Sequence, residues 1–481
     1  MSFQGVSISW PVLAPIVALT AGGLLVLLVD LASKAVPRGV LYGIGVASCV
    51  AAFVTMLPLY GQEQVTLNGA FASDRFSWMF DALLLLTLAV TLVLSSLRKA
   101  EDGGNAGAYA ALLIFCTVGG FVMAGADNLI IIFLGIEQLS LALYVLAGTG
   151  FPREASQEAA LKYVLLGSLA SGFLIFGSAL LYGASGGVSL GAIARAAGAP
   201  QGLFVAGFAL FLVGLSFKLA LTPFHTWAPD VYEGSPLAIT AYMSVAVKAA
   251  AFAILARVAY TVFGHDSVAL IPLWGVAILS MLVGNLGAIR QTNLKRLLGY
   301  SSIAQAGYIV VALAGVSPGG LAAMLFYLTA YAFTTLGAFA VMALLGDGSD
   351  TYAELASYRG LFFRRPWPAA AMALFFFSLA GIPATAGFYG KVLLLQQAFG
   401  GGPWGIGMAI ALVFGTLVSF YVYGKVVWDM YAPAEGVAAV PSGNALAPWI
   451  AVVAGAAGTL VFGVLPQLFY ASQPFLTAAV R

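Results

Sequence analysis

Four lysines and one glutamate lie within long apolar stretches of this chain. They are Glu137, Lys162, Lys218, Lys248 and Lys391. A charged side chain at the centre of a bilayer costs roughly 2.5–3.5 kcal/mol on insertion scales, so such residues are rare and usually mark an ion or proton pathway. These residue types are poorly suited to binding a sugar or an amino acid. They predict a chain of protonatable groups that water links across a membrane.

The stretch from Leu215 to Pro236, LSFKLALTPFHTWAPDVYEGSP, combines several such features. Lys218 lies in an apolar helix that Pro223 interrupts, because proline has no N–H to continue the hydrogen-bond ladder. The freed carbonyls of a broken helix in a bilayer need protein or water partners. His225 follows the break, where it could relay protons or cap the backbone. We therefore predict an ion path here, the alternative being a proline kink with Lys218 extended to the interface.

Glu137 is expected well inside its apolar segment. A lone carboxylate at that depth would be protonated or paired. We predict that it pairs with Lys218 and sets the charge state of that lysine, the alternative being a protonated acid bonded to a backbone carbonyl. Ser301 takes the matching place in an internal repeat described below, so packing does not require an acid there.

The remaining lysines differ in their expected depth. Lys248 has no acid in its own segment, and Lys391 follows a second break in GIPATAGFYGKVLLL. Lys162 is nearer the start of its segment and four residues after Glu158, so a surface ion pair and a place on the path are equally good interpretations. Four other charges are interpreted as interfacial or solvated: Arg257, Lys425, Asp230 and Glu233.

The composition is that of an integral membrane protein. Of the 481 residues, 62% are hydrophobic and 8% are charged, whereas soluble domains carry about 25% charged residues. The formal net charge of +2 gives no reason to expect nucleic acid as a partner. The sequence has no metal-ligand spacing, nucleophile–base pair or phosphate-binding loop. We therefore expect no cofactor in this chain, a lipid bilayer around it, and protons as its cargo.

The predicted fold is all-α and polytopic, with fourteen transmembrane helices in one membrane domain, 1–481. A spanning helix needs about 20 mostly apolar residues. The segments that qualify are 9–30, 38–60, 76–97, 107–124, 127–148, 158–184, 203–232, 236–263, 269–289, 294–315, 318–345, 367–400, 403–430 and 446–470. The seventh and twelfth are long and broken. The first lacks a basic region before it, so we expect a retained helix rather than a cleaved signal peptide.

An internal repeat relates the middle of the chain to itself. At an offset of 164, Gly135 meets Gly299 and Tyr144 meets Tyr308, and at 160 the Leu-Ala-x-x-Pro of the first break meets that of the second. Helices 4–8 and 9–13 are thus predicted to be two five-helix copies, which an odd number of helices makes inverted, as in many transporters. The predicted parts are an N-terminal three-helix segment 1–106, a first repeat 107–263, a second repeat 269–430 and a C-terminal helix 446–481.

The basic residues predict the orientation. Eleven lie in one set of alternate loops and three in the other set with the C-terminus. The larger set is Lys34, Arg38, Arg98, Lys99, Arg153, Arg290, Lys295, Arg296, Arg359, Arg364 and Arg365, and the smaller is Arg75, Arg195 and Arg481. Cytoplasmic loops carry the excess of lysine and arginine. Both termini are therefore predicted on the outer side.

FKLALTPFHTWAPDVYEGSP, followed by a segment that contains Lys248, resembles the subunit N family of NADH-quinone oxidoreductase, or respiratory complex I. The pattern PFHxWxPDVYxGSP is specific for that subunit type, and the likeness covers essentially the whole chain. The resemblance implies a proton-translocating subunit of a bacterial inner-membrane enzyme, driven by quinone reduction elsewhere in the complex. It also implies that FMN, iron–sulfur clusters and quinone belong to other subunits, and that other membrane subunits are the partners.

Residue by residue, the resemblance assigns the proton path to Glu137, Lys218, Lys248 and Lys391, with Lys162 as a further member. His225 is our own addition to this path. Glu137 would set the charge of Lys218, and the proton would pass Lys248 and leave by Lys391 to the outer face. Three alternatives are a subunit of a multisubunit cation/proton antiporter with the same fold, a transporter of a small solute, and a structural spacer.

Overall fold

The structure is a computed structural model of the chain, and it describes residues 5–33, 36–97, 105–150, 153–197, 202–263, 271–346, 353–433 and 446–470. Some positions used in the predictions lie outside these ranges. They are Lys34, Arg98, Lys99, Arg481, the start of segment 269–289 and the end of the predicted part 446–481.

Apolar runs fold as helices here because a helix bonds its own backbone groups without water. In chain order the helices are α1 Trp10–Ala32, α2 Arg38–Met56, α3 Arg75–Ser95, α4 Ala106–Gly125, α5 Leu129–Ala147, α6 Glu154–Ser185, α7 Leu190–Ala197, α8 Gly202–Leu219, α9 Trp227–Gly234, α10 Leu237–Tyr242, α11 Lys248–Val258, α12 Ile271–Ala288, α13 Leu294–Val310, α14 Pro318–Gly346, α15 Leu361–Arg364, α16 Pro366–Ala380, α17 Ala386–Ala398, α18 Gly402–Tyr431, α19 Leu446–Val464 and α20 Gln467–Tyr470.

The rod from Leu237 to Phe263 occupies the centre of the molecule. The π-helical turn Met243–Val247 joins α10 to α11, and a second π-helical turn, Ala259–Phe263, ends this continuous element. Every residue of the rod from Leu237 to Ala259 is buried inside the chain. Lys248, which begins α11, therefore lies in the interior of the protein and not on a lipid-facing surface.

Twelve helices within the described ranges are long and apolar enough to cross a membrane. The prediction of an all-α polytopic membrane protein is confirmed. The count of fourteen stays a prediction, because α13 has only 17 residues and the run Ala386–Tyr431 counts once although it contains both α17 and α18.

Two small elements were not predicted. Strands β1 Gln64–Thr66 and β2 Phe71–Ser73 form an antiparallel hairpin between α2 and α3, with Val65 opposite Ala72. The eight-residue helix α7 lies between α6 and α8. Both elements are too short for the hydropathy rule, which responds only to runs of spanning length.

A shared close approach of backbones supports the internal repeat. A Cβ added to Gly119 of α4 would lie 2.5 Å from the amide nitrogen of Leu139 in α5. A Cβ added to Gly284 of α12 would lie 2.4 Å from the amide nitrogen of Ala304 in α13. Both pairs are related by the same offset of 165 residues. The same helix contact is thus built twice, although the domain boundaries themselves remain predictions.

Both predicted helix breaks are confirmed. The chain leaves α8 at Leu219 and resumes helix at Trp227, and it leaves α16 at Ala380 and resumes at Ala386. Each gap contains an alanine in the left-handed region, Ala220 with φ 55° and Ala384 with φ 65°, again 164 residues apart. An alanine rarely adopts this conformation, which costs about 1–3 kcal/mol and persists only where the surroundings hold it.

Candidate functional site

The first break is closed by hydrogen bonds from three directions. The Leu221 amide donates to the Ser216 carbonyl at 2.9 Å, and the Trp227 indole donates to the Phe217 carbonyl at 3.0 Å. The Thr222 amide donates to Ser280 Oγ of α12 at 2.8 Å. The freed backbone groups therefore have protein partners, as a membrane interior requires.

Lys218 ends inside the protein, one residue before the break. Its side chain is 3% exposed, and Nζ donates to Ser140 Oγ of α5 at 2.6 Å. The rings of Tyr144 and Tyr163 lie 5.5 and 5.7 Å from Nζ, within the range of cation–π attraction. The ammonium is therefore held by a neutral hydroxyl and aromatic faces.

The predicted direct pairing of Glu137 with Lys218 is wrong. Glu137 is half-buried and accepts a hydrogen bond from Ser171 Oγ of α6, and no ion pair joins it to Lys218. Ser140 lies three residues after Glu137 on the same face of α5. Its hydroxyl, and not the Glu137 carboxylate, accepts the hydrogen bond from the Lys218 ammonium. The two charges therefore act on each other across Ser140 and not through contact.

Lys248 connects the first break to the second repeat. It is 2% exposed, and Nζ donates to the Leu219 carbonyl at the end of α8 at 3.1 Å and to the Ser302 carbonyl of α13 at 2.8 Å. One ammonium therefore bonds a freed carbonyl next to Lys218 and the backbone of the second repeat.

Lys391 occupies the second break in a similar way. It is 5% exposed, and Nζ donates to the carbonyls of Leu379 and Ala380, where α16 ends, at 3.0 and 2.9 Å. The Tyr308 ring of α13 lies 5.0 Å from Nζ. Each break thus presents its terminal carbonyls to a lysine, from the rod in the first repeat and from α17 in the second.

Lys162 lies in a different environment. Its side chain is 40% exposed, and it makes the predicted ion pair with Glu158 at 2.7 Å and a second with Asp230 at 2.6 Å. Arg296 of α13 reaches Asp230 at 2.6 Å and Glu233 at 2.9 Å. We call these five residues the Asp230 cluster. Asp230 is therefore not a plain solvated cap, because it joins α6 of the first repeat to α13 of the second.

His225 lies in the first break, and its ring is half-buried. Its Nδ1 is buried and has no hydrogen-bond partner within the part of the chain that the structure describes. The His225 carbonyl accepts from the Ala228 amide at 2.9 Å, so the backbone of this residue caps the start of α9. No hydrogen bond joins the His225 ring to Lys218 or Lys248.

Comparison with known proteins decides the family. A family model described as NADH:quinone oxidoreductase/Mrp antiporter, TM, matches residues 126–419. NADH-quinone oxidoreductase subunit N 1 of Symbiobacterium thermophilum is 42% identical over 482 residues, covering 96% of this chain and 97% of that protein. The chain belongs to the subunit N family of NADH-quinone oxidoreductase.

Solved structures agree with the subunit N family and with its wider fold. A chain of respiratory complex I from Thermus thermophilus with bound aureothin has a TM-score of 0.82 and 34% identity, covering 97% of this chain and 100% of that one. A chain of the Mrp complex from Dietzia sp. DQ12-45-1b has a TM-score of 0.84 at 23% identity, covering 98% and 97%. The second likeness concerns the fold alone.

As a subunit N family member, this chain is an antiporter-like, proton-translocating and multi-pass membrane subunit of the NADH-quinone oxidoreductase complex. Its partners are other membrane subunits. No redox centre is evident in the described ranges, where no group of three or more His, Cys, Asp or Glu residues could hold a metal ion.

Sequence reasoning missed a buried ion pair that this family member carries where α11 ends and α3 begins. Arg257 is 6% exposed, so the expectation of an interfacial charge is wrong. Its guanidinium donates to both Asp74 oxygens, at 2.9 and 3.2 Å, and to the Ala124 carbonyl at 3.0 Å. Asp127 lies nearby, where burial raises its carboxyl pKa while Arg257 lowers it and Asp74 adds to the rise. A separation of 183 residues hid the pair from any local pattern.

Replacing Asp74 by Asn is expected to destabilise this subunit, because it leaves the Arg257 guanidinium buried without a counter-ion. Breaking a buried pair from one side costs about 3–5 kcal/mol. The measurement is the thermal stability and amount of assembled complex in membranes. An Asp74→Asn/Arg257→Met double variant should recover much of the loss. An Asp74→Asn variant as stable as the parent would contradict the expectation.

Lys295 was also misjudged. It was counted as a loop residue, but its side chain is fully buried in the first turn of α13. Nζ donates to the Ser235 carbonyl at the end of α9, at 2.5 Å. A basic residue at the start of a helix is indistinguishable from a loop residue when only hydropathy defines the boundary.

Proposed function

We propose that protons cross this subunit through Glu137, Lys218, Lys248 and Lys391, in that order, and leave toward the outer face. The proposal is supported mainly by the surroundings of the three buried ammonium groups. Within the described ranges, each donates only to neutral oxygens, a serine hydroxyl or backbone carbonyls. Burial penalises the charged form, and no carboxylate in contact compensates for it.

The route follows the two helix breaks. Lys248 bonds the carbonyl of Leu219, the residue next to Lys218, so the second lysine lies immediately beside the end of the helix that carries the first. Lys391 bonds the equivalent carbonyls of the second break. Broken helices in transporters provide polar gaps at mid-membrane depth. The next acceptor after Lys218 is thus bonded to the backbone of the same break.

We assign Lys162 and His225 to proton uptake at the inner end. Lys162 is exposed enough to exchange protons with water, and its ion pairs hold it beside α9. The His225 ring has an unpaired nitrogen within the same break as Lys218. Histidine is the side chain whose charge changes most readily near neutral pH. Uptake through these two residues would supply Glu137 and Lys218.

We propose further that the chain lies in a bacterial inner membrane with both termini on the outer side. The excess of basic residues in one set of loops supports this orientation. The neighbours would be the antiporter-like and small membrane subunits of complex I. FMN, iron–sulfur clusters and quinone would lie in other subunits of the enzyme and provide the driving force.

Replacing Lys391 by Met is expected to lower NADH-driven proton transfer by at least about tenfold, because a positioned proton carrier typically contributes more than this to rate. Proton uptake into inverted membrane vesicles, corrected for the amount of assembled complex, is the measurement. Lys425→Met is the matched control, since Lys425 is exposed near the end of α18. Full proton transfer in Lys391→Met would contradict the proposed path.

A further inference from the structure

Lys248 and Lys391 contact helix α13 at two different positions along its length. The Ser302 carbonyl accepts from Lys248, and the Tyr308 ring faces Lys391. Six residues of α-helix span about 9 Å, which is too far for direct proton transfer. Between Ser302 and Tyr308 the sequence of α13 has no acid, histidine, lysine or arginine. Another kind of carrier is needed for this interval.

Hydroxyl groups from three helices, α9, α13 and α18, converge on that face. Ser302 Oγ lies 3.0 Å from the Tyr232 hydroxyl of α9. Ser301 Oγ lies 2.5 Å from the Tyr423 hydroxyl of α18. All four side chains are buried. Each hydroxyl can both donate and accept a hydrogen bond, so such pairs can be extended into a chain.

The next turn of α13 continues the polar face toward Lys391. Gln305 is buried, and its Oε1 accepts a hydrogen bond from the Tyr327 hydroxyl of α14. A Cβ added to Gly390 would lie 2.4 Å from Cδ2 of Tyr327, so this ring packs on the residue before Lys391. Ser301, Gln305 and Tyr308 are spaced to share one side of the helix.

We propose that these hydroxyls carry the proton from Lys248 to Lys391, with water between groups that do not touch. We call this set the α13 relay, and it consists of Ser301, Ser302, Gln305, Tyr327 and Tyr423. The inference rests on the proposed function, because it concerns the interval between two lysines of that path. Gln305 is a positioning residue in the relay, since its amide holds the Tyr327 hydroxyl and keeps its own protons.

The transfer conserves protons at each step. The Lys248 ammonium releases one proton and becomes a neutral amine. Each relay hydroxyl, and each water between them, accepts a proton on a lone pair and passes its own proton to the next oxygen, so every O–H bond that breaks is replaced. The Lys391 amine takes the last proton and becomes an ammonium. No side chain between the two lysines retains a charge.

The relay also distinguishes the two repeats. The first repeat has a carboxylate, Glu137, where the second has Ser301. A carboxylate can hold a proton between steps, whereas a serine or tyrosine hydroxyl near neutral pH can only pass one on. At this position the first repeat thus has a group that can hold a proton between steps, and the second has a group that can only pass a proton on.

The test uses the assembled complex in inverted vesicles. Tyr327→Phe retains the ring that packs on Gly390, and Gln305→Leu removes the group that positions the hydroxyl. Each is expected to lower NADH-driven proton transfer about fivefold, the rate equivalent of one neutral hydrogen bond, and to raise the solvent deuterium isotope effect. Gln305→Glu still accepts from Tyr327 and should retain at least half of the parental rate.

Tyr242→Phe is the matched control, because the Tyr242 hydroxyl is equally buried and bonds Thr117 at 2.8 Å away from the relay. It should leave both rate and isotope effect unchanged. If Tyr327→Phe and Gln305→Leu both transfer protons at the parental rate, while Lys248→Met and Lys391→Met do not, the relay is overturned and the proposed function stands. Parental rates in those two lysine variants would instead overturn the proposed function.

Discussion

Lys248→Met is expected to abolish NADH-driven proton transfer in membranes that still contain the assembled complex. Lys248 is the one ammonium of the proposed path that bonds both repeats, at Leu219 and at Ser302. Methionine fills a similar volume but carries no proton, so neither neighbouring lysine has a partner within reach. We expect a loss of at least about a hundredfold, as for removal of a general acid–base group. The measurement is proton uptake into inverted vesicles on addition of NADH.

A structural effect must be separated from loss of the carrier. Lys248→Met leaves the freed Leu219 carbonyl without this donor, at about 1–3 kcal/mol. Lys295→Met provides the control, since Lys295 is equally buried and also donates to a backbone carbonyl. Both variants should reduce the amount of assembled complex, but only Lys248→Met should abolish transfer per complex. Equal transfer per complex in the two variants would show that Lys248 serves packing alone.

Glu137→Gln is expected to slow proton transfer by at least about tenfold, because the amide retains a group for Ser171 but cannot exchange a proton. The half-buried carboxylate acts on Lys218 across Ser140, through its charge and not through contact. Removing the charge therefore changes how readily Lys218 holds its proton. The measurement is the initial rate of proton uptake, at several pH values, with the amount of complex held constant.

A double-mutant cycle tests whether the two groups act together. If Glu137 works through Lys218, the Glu137→Gln/Lys218→Met variant should be no slower than Lys218→Met alone, because groups of one unit are not additive. Ser140→Ala should weaken the coupling while both charges remain. Independent, multiplying losses in the double variant would contradict a shared role.

Residue type and depth predicted much of the site. Lys218, Lys248 and Lys391 were expected to be buried from their places in apolar segments, and the structure buries all three. Both helix breaks could be predicted from the repeated Leu-Ala-x-x-Pro pattern. Proline lacks the N–H that the helix needs, so it interrupts the helix at its own position. These predictions depend on short stretches of sequence and on the energetics of the bilayer.

Contacts between distant segments could not be predicted in the same way. The pair Asp74–Arg257 and the bond from Lys218 to Ser140 join helices far apart in sequence. Hydropathy assigns Arg257 to a helix end but does not indicate that Asp74 lies beside it. The Glu137–Lys218 pairing failed for the same reason, since opposite charge alone does not reveal which side chain lies nearer.

Helix α6 has 32 residues, which is about 48 Å of helix against a hydrocarbon core of about 30 Å. The helix is thus longer than the core is thick, and the Asp230 cluster beside its first turns is partly exposed, so that dissolved ions reach it. At physiological ionic strength charges there are screened over about 8 Å. The attraction that ties the two halves together at that end weakens as salt rises, whereas the ammonium groups at the breaks are shielded from it.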